Sequence, residues 1–220
     1  MKFSETRLHG AALIESKIFE DQRGCFFESW NQSAWHKYFA ERGEEVPVFV
    51  QDNHSISAKG VLRGMHFQVL PHEQGKLVRC VSGVIYDVIV DLRRQSPTFK
   101  QWQGFYLSAK NQVQLWVPSG FAHGFLALED QTAVIYKVTR FWNQHAERSL
   151  YWQDPELAIT WPFEKMSDQQ GNTENIQQRI YQTHAQRDKM EYPHQFSYPC
   201  VSVKDAQAPC LRQLSEFEFF

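Results

Sequence analysis

His66 sits in the run Leu62-Arg63-Gly64-Met65-His66-Phe67-Gln68, which reads as a strand. Successive strand side chains point to opposite faces, so His66 and Gln68 share one face. An imidazole on an inward face beside polar neighbours can act as a general base, because its unperturbed pKa is about 6.5. The plainer reading is a hydrogen-bonded core histidine, and spacing alone favours that one. His123, in Gly120-Phe121-Ala122-His123-Gly124-Phe125, is a second such histidine. Metal-binding barrels use a His-x-His pair with a distant Glu and His. Here Gln68 stands at the second position and is a poor ligand, so no metal site is expected. A metal-dependent oxygenase remains the rival class, and it would require bound metal.

Arg23, Arg63, Lys76 and Arg79 are four cations among apolar strands. They could pair with Asp21, Glu28 or Asp87. They could equally hold a phosphorylated ligand, since arginine offers a planar fork matched to phosphate oxygens. The chain has neither GxGxxG nor GxxxxGK[ST], which argues against a nucleotide site at a helix terminus.

The elements that must position these residues are mostly short strands. Val81–Asp91 is rich in β-branched residues, and Gln112–Val117 alternates polar with apolar before the turn Pro118-Ser119-Gly120. Phe121–Leu128 and Thr132–Trp142 follow as two more strands. This spacing predicts an all-β sandwich or barrel. Ser33–Arg42 alone in this part reads as a helix, with Trp35 and Tyr38-Phe39 on one face. Residues 164–200 differ: they hold seven Gln and few aliphatics. They are expected to form a polar surface insertion with a helix over Asn175–Lys189, on a single domain spanning 1–220. The aromatic end Phe217-Glu218-Phe219-Phe220 is expected to pack down.

Composition narrows the class. Lys+Arg 23 against Asp+Glu 25 gives a net charge of −2, so nucleic acid is not an expected partner. Hydrophobic residues at 42% and aromatics at 15% exclude wholesale disorder and favour strands. No apolar run is long enough to span a membrane, and the N-terminal residues lack a signal-like apolar core. Cys25, Cys80, Cys200 and Cys210 have no CxxC spacing and are expected to be reduced thiols in a cytoplasmic protein.

Taken together, several segments resemble the dTDP-4-dehydrorhamnose 3,5-epimerase family. They are DQRGCFFES at 21–29, VQDNHSIS at 50–57, VLRGMHFQ at 61–68, QGKLVRCVSG at 74–83, DVIVDLRRQSPTF at 87–99, QLWVPSGFAHGF at 114–125, YKVT at 136–139, WQDPELAITWP at 152–162 and VKDAQAP at 203–209. They run in family order and cover nearly all of the chain outside 164–200. The resemblance implies a homodimeric, metal-free, cofactor-independent jelly-roll barrel of cupin type with a few short helices. It implies a dTDP-linked 4-keto-6-deoxy sugar as substrate, whose ketone acidifies C3 and C5 so that a base can form an enolate. By resemblance, His66 is the base, Asp205 orients it, and Lys76 meets the charge that develops on the C4 oxygen. Arg63 binds pyrophosphate. Arg23 and Glu28 help hold the nucleotide, in part from a partner subunit, and Gln51, Asn53 and His123 line the pocket.

The resemblance puts the family's acid tyrosine at Trp142, with Phe141 beside it, and neither side chain can give up a proton. On an extended strand, Tyr136 would lie on the order of 20 Å from position 142, too far to substitute. Tyr192 or Tyr198 of the insertion would be other sources of the acid. Three outcomes follow: inversion at both centres, inversion at C3 alone, or sugar-nucleotide binding without turnover. The retained His66, Lys76 and Asp205 argue against the last.

Overall fold

The computed structural model describes residues 1–163 and 199–220. Two antiparallel sheets form the body. One has the order β1 (Lys2–Glu5), β2 (Ala12–Glu15), β10 (Gln114–Val117), β7 (Lys76–Ser82), β12 (Thr132–Val138), β5 (Gln51–Ser57). The other has the order β13 (Glu147–Ser149), β6 (Leu62–Gln68), β11 (Phe121–Ala127), β8 (Val84–Asp91), β9 (Trp102–Ser108). The remaining strands, β3 (Ile18–Asp21) and β4 (Gly24–Phe27), pair only with each other among the described residues. Among the described residues, helices α1 (Gln32–Glu41) and α2 (Val203–Ala206) and two short 3-10 turns near the end join these strands. This is the jelly-roll barrel of cupin type expected from the sequence.

The strand sequences follow from what each face meets. β8 is apolar almost throughout because both faces are covered. Ile85 and Ile89 point into the barrel with Val78, Phe121 and Phe125, while Val88 and Val90 meet Trp152, Leu157 and Trp161 outside. β5 is the opposite case. Its inward positions Gln51, Asn53, Ser55 and Ser57 are all polar, next to the inward residues Thr132, Val134, Tyr136 and Val138 of β12. Polar side chains inside a barrel mark the part that holds a ligand rather than a core.

Helix α1 starts one residue earlier than expected, capped by the Asn31 side chain, which accepts from the Ala34 N–H. It buries Trp35 and Phe39 against Leu77 and Trp116 on the outer face of the six-stranded sheet. The Trp35 indole N–H donates to the Pro47 carbonyl at 2.9 Å. Two expected strands are divided or shortened. Val81–Asp91 breaks at Gly83, whose φ of +73° turns β7 into β8. Thr132–Trp142 ends at Val138, after which the chain turns. The aromatic end does pack: Phe220 pairs through its backbone with Leu92 and Arg94, and its ring lies 6.3 Å from that of Phe67. The helix expected over Asn175–Lys189, Tyr192 and Tyr198 lie outside the described residues.

β6 and β11 slip register between His123 and Phe125. His66 pairs with His123, yet Arg63 pairs with Phe125, so both Arg63 and His66 face the interior despite their odd separation. Gly64 makes this possible: its φ is +128°, and a Cβ there would lie 2.5 Å from Gly124 Cα. Gly64→Ala is therefore expected to lower stability by about 2–3 kcal/mol. Thermal unfolding checks this as a drop of roughly 4–12 °C; an unchanged midpoint would contradict the close approach of the two strands.

Candidate active site

The centre of the site is one histidine–carboxylate pair. Asp205, almost fully buried, places Oδ1 2.6 Å from Nε2 of His66, which is about one-third exposed. Its other oxygen accepts from the Gly64 N–H at 3.3 Å. Helix α2 brings Asp205 there, starting at Ser202, whose hydroxyl accepts from the Asp205 N–H. Burial pushes the Asp205 carboxyl up, but His66, Gly64 and Ser202 outweigh it and hold its pKa below the ordinary value. An ionised Asp205 fixes the proton of His66 on Nε2 and leaves Nδ1 as the basic nitrogen.

Lys76 begins β7 on the inward face and donates to the His66 carbonyl at 3.2 Å. Burial pushes its pKa down to about 8, against the attraction of Asp87 and Glu147. His123 bonds Asp87 through Nε2 at 2.9 Å, and burial lowers its pKa although Asp87 opposes this. Two histidine–carboxylate pairs thus stand side by side on β6 and β11, with Lys76 close enough to both for its charge to matter. Arg63 is held from β5, donating to Ser57 Oγ at 3.0 Å and to the Ile56 carbonyl. The Gln51 amide donates to Asn53 at 2.7 Å, and its oxygen accepts from the backbone N–H of Trp142 at 3.3 Å.

Gln68, which shares the face of His66 as expected, anchors the 141–143 segment. Its amide donates to the carbonyls of His72 and Phe141, and its oxygen accepts from Asn143 N–H at 2.7 Å. Phe141 and Trp142 themselves stay largely exposed. Because β12 ends at Val138, Trp142 does not lie a strand's length beyond Tyr136. Both act on or feel Glu147: the indole N–H helps to lower the pKa of its carboxylate, and the carboxylate acts electrostatically on Tyr136. The expectation that Tyr136 is too distant for one site with position 142 is therefore corrected.

Tyr136, Glu147 and Lys204 are the site residues that sequence reasoning passed over. Glu147 lies inward on β13, opposite Gln68, and its carboxylate is 2.6 Å from Lys204 Nζ. Burial raises its pKa, but Lys204 reverses this, helped by His66 and the Trp142 indole, so it stays ionised. Burial raises the pKa of Tyr136, while Arg63 works against that. Strand alternation could have found Tyr136, since it shares the face of Val134. Lys204 is next to Asp205 in sequence, whereas Glu147 carries no motif. Arg23 and Glu28 are not gathered in. Arg23 pairs with Asp21 at 2.6 Å in the exposed β3–β4 hairpin, and Glu28 accepts from Asn31.

The family model described as dTDP-4-dehydrorhamnose 3,5-epimerase matches residues 5–213. The chain belongs to the dTDP-4-dehydrorhamnose 3,5-epimerase family. The dTDP-4-dehydrorhamnose 3,5-epimerase of Pseudomonas aeruginosa is 51% identical over 164 residues, 74% of this chain and 88% of that one. A 3,5-epimerase from Legionella pneumophila, solved with dTDP-4-keto-L-rhamnose, superposes with a TM-score of 0.79 at 34% identity, covering 99% of this chain and 96% of that one. A 3'-monoepimerase from Streptomyces bikiniensis, solved with dTDP as a histidine-to-asparagine and tyrosine-to-phenylalanine double mutant, gives 0.74 at 26% identity, covering 94% and 86%. The protein is accordingly an isomerase of this family.

The buried Lys76 makes a prediction independent of turnover. Its folded pKa of about 8 lies below the roughly 10.4 of an unfolded lysine. Folding thus disfavours its charged form. The penalty is complete below pH 8 and fades as pH rises toward about 10.4. Lys76→Met is expected to unfold at a higher temperature than the parent at pH 7, with the gap narrowing above pH 8. Equal midpoints across that range would show that the ammonium carries no burial penalty.

Proposed function

We propose that this protein inverts C3 and C5 of a dTDP-4-dehydro-6-deoxyglucose-type substrate, with His66 as base and Tyr136 as acid. The observation that carries the residue roles is their placement: His66 projects inward from one sheet and Tyr136 from the other. In a glucose-configured ring, the hydrogens on C3 and C5 are axial on the same face. One base can remove each in turn, and one acid on the opposite face can return a proton with inversion. The enolate formed between these steps carries its charge on the C4 oxygen, where the protonated Lys76 stabilises it. Asp205 holds the base in the useful tautomer. Burial keeps the Tyr136 phenol protonated at neutral pH, as an acid must be.

A further observation supports Tyr136. The histidine and tyrosine replaced in the Streptomyces double mutant stand seventy positions apart, and so do His66 and Tyr136. Trp142 then has no acid role; its indole N–H instead helps to keep Glu147 ionised. Arg63 takes the diphosphate, with Gln51, Asn53 and His123 lining the pocket. Arg23 and Glu28 act from the β3–β4 hairpin of a second copy in a homodimer. That hairpin leaves Phe19 and Phe26 exposed, a surface suited to burial against another chain. No described helix is long and apolar enough to cross a membrane, and all four thiols are free, in keeping with a cytoplasmic enzyme.

The test is proton NMR of dTDP-4-dehydro-6-deoxyglucose with the protein in D₂O. Deuterium is expected at both C3 and C5, with the L-lyxo product captured by a reductase. His66→Asn should abolish exchange, and Tyr136→Phe should cut inversion by about 10²–10⁴-fold. Trp142→Phe should leave inversion within roughly an order of magnitude of the parent. Exchange at C3 alone would make this a single-centre epimerase, and full inversion by Tyr136→Phe would remove the phenol from the mechanism. The same variants yield a pH profile. Turnover should fall on the alkaline side as pH passes about 8, because Lys76 then loses the charge it contributes.

A further inference from the structure

Ser149 stands on β13 as the direct strand partner of His66. Antiparallel partners present their side chains to the same face. Glu147, two residues earlier on that strand, is inward and interacts with His66 and Lys76, which fixes the direction of Ser149 as well. Ser149 is only 8% exposed, and its Oγ has no hydrogen-bond partner among the described residues. Buried hydroxyls without partners are uncommon, because they surrender water and gain nothing in return. Ser55, Glu73, Arg79 and Gln112 also hold such an atom, but Ser149 alone of the five is paired on its strand with the proposed base.

We propose that Ser149 is a substrate-positioning residue whose hydroxyl bonds a ring hydroxyl of the bound hexose beside the carbon that His66 deprotonates. This rests on the epimerase reading above. A serine hydroxyl offers one donor and two acceptor sites, which suits an uncharged sugar hydroxyl rather than a phosphate. Its neighbours explain why it is free. Lys204 engages Glu147 and Asp205 engages His66, so neither carboxylate competes for it. The bond would fix the ring relative to Nδ1 of His66, where small displacements carry large kinetic cost.

The experiment compares the parent with Ser149→Ala and Ser149→Thr, using deuterium exchange from D₂O into dTDP-4-dehydro-6-deoxyglucose and thermal unfolding. Exchange by the parent comes first; its absence would defeat the epimerase reading itself. Given exchange, Ser149→Ala is expected to lose about 10- to 100-fold in kcat/KM while unfolding at or above the parent temperature. A hydroxyl that serves only the fold would instead lower that temperature when removed. Ser149→Thr, which keeps the hydroxyl, is expected to recover most of the loss. Parent-like kcat/KM in Ser149→Ala would overturn the proposal, as would a loss that tracks destabilisation in both variants.

Discussion

The contact on which the site depends is the 2.6 Å pair between Asp205 and His66. A carboxylate so well buried survives only because it is satisfied on all sides. The imidazole takes one oxygen, the Gly64 N–H takes the other, and Ser202 fixes the helix that carries it. Each partner imposes a demand elsewhere. Gly64 can offer its N–H only where β6 slips against β11, and that slip also turns Arg63 inward. Helix α2 must dock on β6, and Lys204 within it, next to Asp205, neutralises Glu147 at the same time. The orientation of the base and the charge state of a neighbouring acid are thereby set by four residues of chain.

Around this pair the barrel divides its interior. One part is filled by Val78, Ile85, Ile89, Phe121 and Phe125 and is a true core. The other is lined by Gln51, Asn53, Lys76, Tyr136 and the two histidine–carboxylate pairs. The apolar part gives the rigidity that holds proton-transfer groups at fixed separations. It also excludes water from Lys76, and this lowers the affinity of that ammonium for its proton. Rigidity and the tuned lysine thus share one cause, close packing against a polar pocket.

The strand pattern was legible because a jelly roll is written in alternation and in turns such as Pro118-Ser119-Gly120. The family was legible from motifs that hold His66, Lys76 and Arg63. What escaped was information carried between elements. No spacing says that β12 stops at Val138, and an unbroken strand puts Tyr136 on a line running away from position 142. Glu147 gave no signal because its importance lies in who surrounds it. Register slips are equally hidden: strict alternation sets Arg63 and His66 on opposite faces, and the bulge reverses that. Arg23 and Glu28 show the converse limit, since a single folded copy leaves them outside the cluster their motif suggests.

The manner in which Gln68 and Gln51 grip residues 141–143 has a bearing on how this enzyme can change over time. Every one of those bonds ends on a backbone atom, at the Phe141 carbonyl, the Trp142 N–H and the Asn143 N–H. The path through Phe141 and Trp142 is therefore held without their side chains, whereas Asn143 also bonds through its own. Two aromatic positions at the rim of the pocket are free to vary while the scaffold and the proton-transfer groups stay put. A lineage can explore new sugar preferences there without first sacrificing a working fold.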